Sequence, residues 1–217
     1  MRHLLFLLTL IAAPVGAAEF FACDCAPGAD PDCVVGDDLG PGTQAAPWQT
    51  YERARQAFAT LAPGDAIRFC QGGRFPIGAG TRWVNTACQA SQPCVVSSYT
   101  TDWASGDEGR PVIENTSGGH GFALEDGGNA EHEEGYTFDG LSLVGTGGTG
   151  NGFFLYNDID DVVIRDVHIS GFAIGVHLAG CNPCSADPLC DGQNDRVALL
   201  DSTLVYNTAQ GGLGAAN

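Results

Sequence analysis

Apolar positions recur along this chain at two periods, and the switch between them divides the sequence. From Pro47 to Leu61 the residues Trp48, Tyr51, Ala54, Phe58 and Leu61 return every three or four positions, the spacing of one helical face. Pro47 suits a first helical position and Pro63-Gly64 stops the run, so the pattern predicts an amphipathic helix over about 47–62. Its single apolar face must cover something. From Asp65 onward the texture changes to short β-type runs punctuated by Gly, Asn and Asp: Ala66 to Phe69, Cys94 to Tyr99, Pro111 to Ile113 and Gly121 to Leu124, then a denser series. Nothing after Leu61 reads as a long helix.

The denser series repeats. Phe138 to Leu143, Ile164 to Ile169 and Leu199 to Leu204 align, each apolar, two polar or turn positions, then apolar, polar, apolar, at offsets of 26 and 35 residues. The second offset holds a Cys-rich insertion. A further apolar segment follows each: Gly152 to Leu155, Ile174 to Leu178, and the start of one at Gly211 to Leu213. Short strands in repeats of twenty-odd residues predict an all-β solenoid whose coils stack as parallel sheets around one core. Alternation places Ile164, Val167, Ile169, Val176 and Leu178 inward, and Val163, Arg165, His168 and His177 outward. Gly140, Asp166 and Asp201 follow the first strand of each repeat, where a sharp bend favours residues tolerant of positive φ.

The first eighteen residues carry Arg2, an apolar run from Leu4 to Ala13 broken by Pro14, and small residues Gly16, Ala17 and Ala18 before Glu19. This reads as a secretory signal peptide over 1–18, cleaved after Ala17 or Ala18, with no membrane span after its removal. A Cys-rich acidic leader (19–46) and a β-helical unit (47–217) follow. The chain of 217 residues has 26 acidic against 9 basic residues, a formal charge of −17 and no Lys. No basic stripe is available for phosphates, which excludes nucleic acid as a partner class and disfavours an anionic membrane surface. All nine Cys lie beyond the cleavage point, and export makes disulfides the default. One is expected among Cys23, Cys25 and Cys33, one joining Cys88 to Cys94, and one within Cys181 to Cys190. Cys181-Asn-Pro-Cys184 with Cys190 also has zinc-ligand spacing, but a second Cys-x-x-Cys pair is missing.

Several segments together resemble a known family. Gly36-Asp-Asp-Leu-Gly-Pro-Gly-Thr43, Pro47-Trp-Gln-Thr50, Pro63-Gly-Asp-Ala-Ile-Arg-Phe69, Gly72-Gly-Arg-Phe75, Pro93-Cys-Val-Val96 and Arg110-Pro-Val-Ile-Glu114, with the coils beyond them, are similar to the right-handed parallel β-helix proteins of the pectate-lyase-like superfamily. The resemblance implies a right-handed solenoid whose N-terminal mouth is capped by the helix. It is specific for fold and unspecific for function, since the superfamily holds lyases, hydrolases, adhesins and proteins of unassigned role. The third coil stops at Asn217 while its last strand is forming, without a terminal cap, so a C-terminally truncated, monomeric, secreted, periplasmic or surface-bound protein is expected.

The resemblance implies a polysaccharide or cell-surface glycan partner held in an outer groove. One reading is a polysaccharide lyase, with a glycoside hydrolase as runner-up; the other is a non-catalytic adhesin or structural β-helix. For a lyase, Arg165 is the candidate base, with His168 and His177 as candidate acid, base or ligand groups. Asp139, expected to stack beside Arg165, and Phe154 are candidate substrate contacts. Asp158, Asp160 and Asp161 offer hard oxygen ligands for Ca2+, as do Asp187, Asp191 and Asp195, although neither run matches a full EF-hand loop and turn formation with solvating charge is the favoured reading of both.

Overall fold

A computed structural model of the protein describes residues 16–78, 81–125, 134–156, 159–180, 194–208 and, as backbone only, 210–216. After a first strand, β1 (Glu19–Ala22), and one helix, α1 (Tyr51–Phe58), the chain forms triplets of strands. These are β2 (Ala66–Cys70), β3 (Arg74–Ile77) and β4 (Arg82–Trp83); β5 (Cys94–Tyr99), β6 (Val112–Asn115) and β7 (Phe122–Glu125); β8 (Tyr136–Asp139), β9 (Ser142–Gly145) and β10 (Asn151–Tyr156); β11 (Val162–Arg165), β12 (His168–Ser170) and β13 (Ile174–Ala179); and β14 (Ala198–Leu200), β15 (Thr203–Val205) and β16 (Gln210–Ala216). Equivalent strands of successive triplets pair in parallel, giving sheets in the orders β1-β2-β5-β8-β11-β14, β3-β6-β9-β12-β15 and β4-β7-β10-β13-β16. The molecule is a mostly β, solenoid-like stack of three parallel sheets with one short helix.

The repeat read from the sequence is the pairing register. Phe138, Ile164 and Leu199 are neighbours across β8, β11 and β14, and Leu143, Ile169 and Leu204 across β9, β12 and β15. Phe153 pairs with Val176, and Val176 with Leu213. Alternation sends Ile164, Val167, Ile169 and Val176 into the core, while Val163 and His168 are half-exposed and Arg165 is exposed. Rings continue the column between coils: Phe122, Phe138 and Phe153 have centroids 4.9 to 5.2 Å apart. The bend after the first strand takes positive φ at Gly140 (69°), Asp166 (49°) and Asp201 (48°), as the residue types require.

The helix is shorter than its apolar spacing predicts. Thr50 is its N-cap, accepting from the Arg53 N–H at 3.1 Å and anchored in turn by its hydroxyl on Asp38. Pro47 is therefore not the first helical residue. Trp48 belongs to a β-bridge with Ala22, its N–H donating to the Phe21 carbonyl, and its indole stacks on Phe20 at 5.2 Å. Its apolar character serves strand packing, so the helical period begins one turn later. Tyr51, Ala54, Ala57 and Phe58 form the buried face of α1, with Tyr51 and Phe58 against Trp83 and Phe58 against Tyr136. The acidic leader is part of the fold, because β1 lies within it and opens the first sheet.

Three disulfides hold this end: Cys23–Cys70, Cys25–Cys33 and Cys88–Cys94. The local Cys25–Cys33 and Cys88–Cys94 bridges follow the clustering. Cys23–Cys70 spans 47 residues and ties the leader to the end of β2, a long-range closure that spacing does not reveal. Cys181, Cys184 and Cys190, with both readings of that cluster, lie outside the described residues.

Candidate functional site

Side chains on the outer face of the third sheet converge. In β10 the alternation that buries Phe153 and Leu155 turns Phe154 and Tyr156 outward, and their rings lie 5.5 Å apart and 18° from parallel. His177 of β13 is the register neighbour of Phe154 on the next coil, with ring centroids 5.3 Å apart. His120, from the turn before β7, lies over Phe154 at 4.6 Å and 11°. The result is a partly exposed platform of four rings drawn from three coils.

Asn residues set this platform. Asn115, buried at the end of β6, accepts from the backbone N–H groups of Ser117 and Gly119 and donates to the His120 carbonyl, folding the 116–120 turn. The Asn151 N–H donates to His120 Nδ1 at 3.2 Å, and the Asn151 amide lies 3.4 Å from His177 Nδ1. An Nδ1 that accepts leaves Nε2 as the protonated, donating nitrogen. Burial, and then the nearby His177, hold the His120 imidazole below its usual pKa. At the open end of Tyr156, its register neighbour Glu125 is ion-paired with Arg82.

The other predicted residues fall elsewhere. Arg165, His168 and His177 belong to three different sheets, and no hydrogen bond or ring contact joins any two of them. Arg165 is paired with Asp139 at 2.9 Å on the outside of the first sheet. His168 stands on the second sheet in line with Ser142 and Thr203, as the register predicts. Asp160 and Asp161 are both engaged by the Arg196 guanidinium, at 3.1 and 2.8 Å, and burial raises the Asp160 pKa. The carboxylate oxygens that the calcium reading needs are thus shared with a cation of the chain itself. Asp158, Asp187 and Asp191 lie outside the described residues. Cys23, Cys25 and Cys33 have metal-ligand proximity, but all three are consumed by disulfides.

Every arginine among the described residues is engaged. Arg53 lies over the Trp48 ring; Arg55, Arg68, Arg74, Arg82, Arg110, Arg165 and Arg196 pair with carboxylates. A cleft of about 600 Å3 opens elsewhere, between the 34–47 loop and Tyr99 to Trp103, and contains none of the predicted site residues.

Of the four rings, the sequence reading singled out Phe154 as a candidate substrate contact and His177 as a candidate acid, base or ligand, and gave Tyr156 and His120 no role. Tyr156 was legible, two positions beyond Phe154 on an alternating strand. His120 carried no comparable signal, because a turn and not a strand period places it.

No protein-family model matches the chain, and no curated protein matches it. Among solved structures it is similar to the GH136 lacto-N-biosidase from Eubacterium ramulus, in native and selenomethionine forms, with TM-scores of 0.60 and 0.59. Identity is 14%, and the match covers 85% of this chain and 34% of the other, so the chain spans about a third of that enzyme's length. The three parallel sheets and this likeness support a parallel β-helix fold. They do not extend to the pectate-lyase-like superfamily. The disulfides are consistent with an extracellular or periplasmic protein, and no helix among the described residues is long and apolar enough to cross a membrane.

Proposed function

We propose that this is an exported parallel β-helix protein that binds a neutral glycan on the outer face of its third sheet. The observation that carries the reading is the ring platform of Phe154, Tyr156, His120 and His177. Side chains on that face present partly exposed π surfaces, against which the C–H face of a pyranose packs, beside imidazole and carboxylate groups able to bond its hydroxyls. A structural neighbour that is a lacto-N-biosidase is a glycan-acting protein, which agrees with the reading without supplying a substrate.

Charge selects among glycans. The acidic chain has no Lys, and each described arginine already holds a carboxylate or a ring, so a polyuronate would meet uncompensated negative charge. This weighs against the lyase reading and its Arg165 base, and against kinship with pectate lyases as a guide to activity. We take the coil direction as right-handed, the hand that crossovers between parallel strands overwhelmingly adopt. We take α1, with its buried face on Trp83 and Tyr136, as the plug of the N-terminal end of the column.

Titration calorimetry of the exported protein against neutral β-linked oligosaccharides tests the proposal. Phe154→Ala and Tyr156→Ala should each weaken binding by about tenfold, the loss that corresponds to ~1.4 kcal/mol of ring contact. Unaltered affinity in both variants would remove the platform from the account. Chromatography of the same mixtures separates binding from turnover. Uronate polymers releasing unsaturated product, with loss in Arg165→Ala, would restore the lyase.

A further inference from the structure

The Asp65 carboxylate is nearly buried, with 9% of the residue exposed, and no cation among the described residues pairs with it. One oxygen accepts from the Ala62 N–H at 2.9 Å; the other accepts from the Ala18 N–H at 2.7 Å. The Ala18 carbonyl accepts from the Ala66 N–H, which begins the pairing of β1 with β2. Gly16, Ala17 and Ala18 are themselves exposed. A nearly buried carboxylate that gives one oxygen to the Ala18 nitrogen, in an exposed small-residue stretch, is a seat for a chain terminus.

We propose that the leader is hydrolysed between Ala17 and Ala18, and that the α-ammonium created there is the counter-ion of Asp65. The inference rests on reading 1–18 as an export leader and resolves its cut to one bond. Water adds its hydroxyl to the Ala17 carbonyl carbon, the C–N bond breaks, and the Ala18 nitrogen keeps the electron pair and is protonated to an ammonium near neutral pH. The Ala18 N–H bond to Asp65 thereby becomes charge-assisted. A cut one residue later would delete both the donor to Asp65 and the acceptor of the Ala66 N–H. The β1–β2 pairing is present with the leader attached, and cleavage adds a charge to its first contact: the ion pair exists only after the cut.

The pair also fixes a pH dependence. The ammonium, stabilised by Asp65, has a higher pKa folded than unfolded. Its contribution is complete below the unfolded value, about 8, and is lost as pH rises through the folded one.

The test is to express the full chain with its leader, collect the exported protein and sequence its N-terminus. Ala-Glu-Phe-Phe is expected. A start at Glu19 or any other residue overturns the inference while leaving export intact, whereas an uncleaved leader overturns both. Because the chain lacks Lys, an amine-directed acylating reagent reports on the α-amine alone. At pH 8 the folded protein should react at least tenfold more slowly than the urea-unfolded one, and Asp65→Asn should abolish most of that protection. Equal rates in the folded and unfolded protein would refute the pairing even if the variant fails to fold.

Discussion

His120 lies flat on Phe154, with ring centroids 4.6 Å apart and planes 11° from parallel, although the two residues come from different coils. The Asn151 N–H bond to Nδ1 beside this contact requires a neutral imidazole, and burial disfavours a charge there. The folded pKa is depressed, so the unfolded chain binds the proton first as pH falls. Stability is therefore unaffected above the ordinary imidazole value and declines as pH drops from that value through the folded one. A proton NMR titration should show His120 titrating below the ordinary imidazole range. The decline in urea midpoint across this window should shrink in His120→Phe.

Asn115 acts on the platform from a distance. Its side chain serves three backbone groups of the 116–120 turn, and Asn115→Ala leaves them without that partner in a buried place. The expected cost is about 1–3 kcal/mol in urea unfolding. The His120 titration should move back toward the ordinary imidazole range in this variant, a change that a general loss of stability would not produce.

Cys23–Cys70 closes a loop across 47 residues, the longest closure among the described disulfides. Replacing both cysteines with Ser should lower unfolding free energy by about 2–5 kcal/mol under oxidising conditions. Opening the short Cys88–Cys94 loop should cost less, because a shorter loop restrains the unfolded chain less.

Gly140 and Asp201 sit at equivalent bends with φ of 69° and 48°. A Cβ at Gly140 would also come within 2.8 Å of the Ser98 hydroxyl, so Gly140→Ala should cost at least about 1–2 kcal/mol. Asp201→Gly should stay within about 1 kcal/mol of the native protein, since relief at the bend offsets the added freedom of the unfolded chain. Thermal denaturation of the two variants checks the contrast.

Arg196 holds the Asp160 and Asp161 carboxylates together. Millimolar Ca2+ should leave the melting temperature of the native protein unchanged and raise it in Arg196→Ala, where two adjacent carboxylates lose their cation. Calcium-dependent melting of the native protein would instead support the metal reading of this cluster.

The column was legible in the sequence because burial on one side of a strand imposes a period of two, and because coil stacking repeats it. Phe138, Ile164 and Leu199 align on one apolar position of the repeat, and the bends at 140, 166 and 201 were marked by residue types that tolerate positive φ. The helix start was not legible, since an apolar Trp48 reads alike whether it packs from a strand or from a helix. Cys23–Cys70 was hidden for a related reason: a bridge between distant segments depends on the fold and leaves no spacing of its own. The platform was half legible. Phe154 and His177 lie on strands, whereas His120 is carried by hydrogen bonds of Asn115 and Asn151 that no periodicity encodes.

Neighbouring coils differ in length while their strands stay in step: Asp139 and Arg165 are 26 residues apart, Val167 and Ser202 35, and both intervals close on one unbroken ladder. The surplus lies in sequence between β13 and β14, and the strands on either side keep their register. The scaffold therefore behaves as a spindle fitted with interchangeable cassettes, and a foreign peptide grafted between β13 and β14 would leave the threading of the hydrophobic interior untouched.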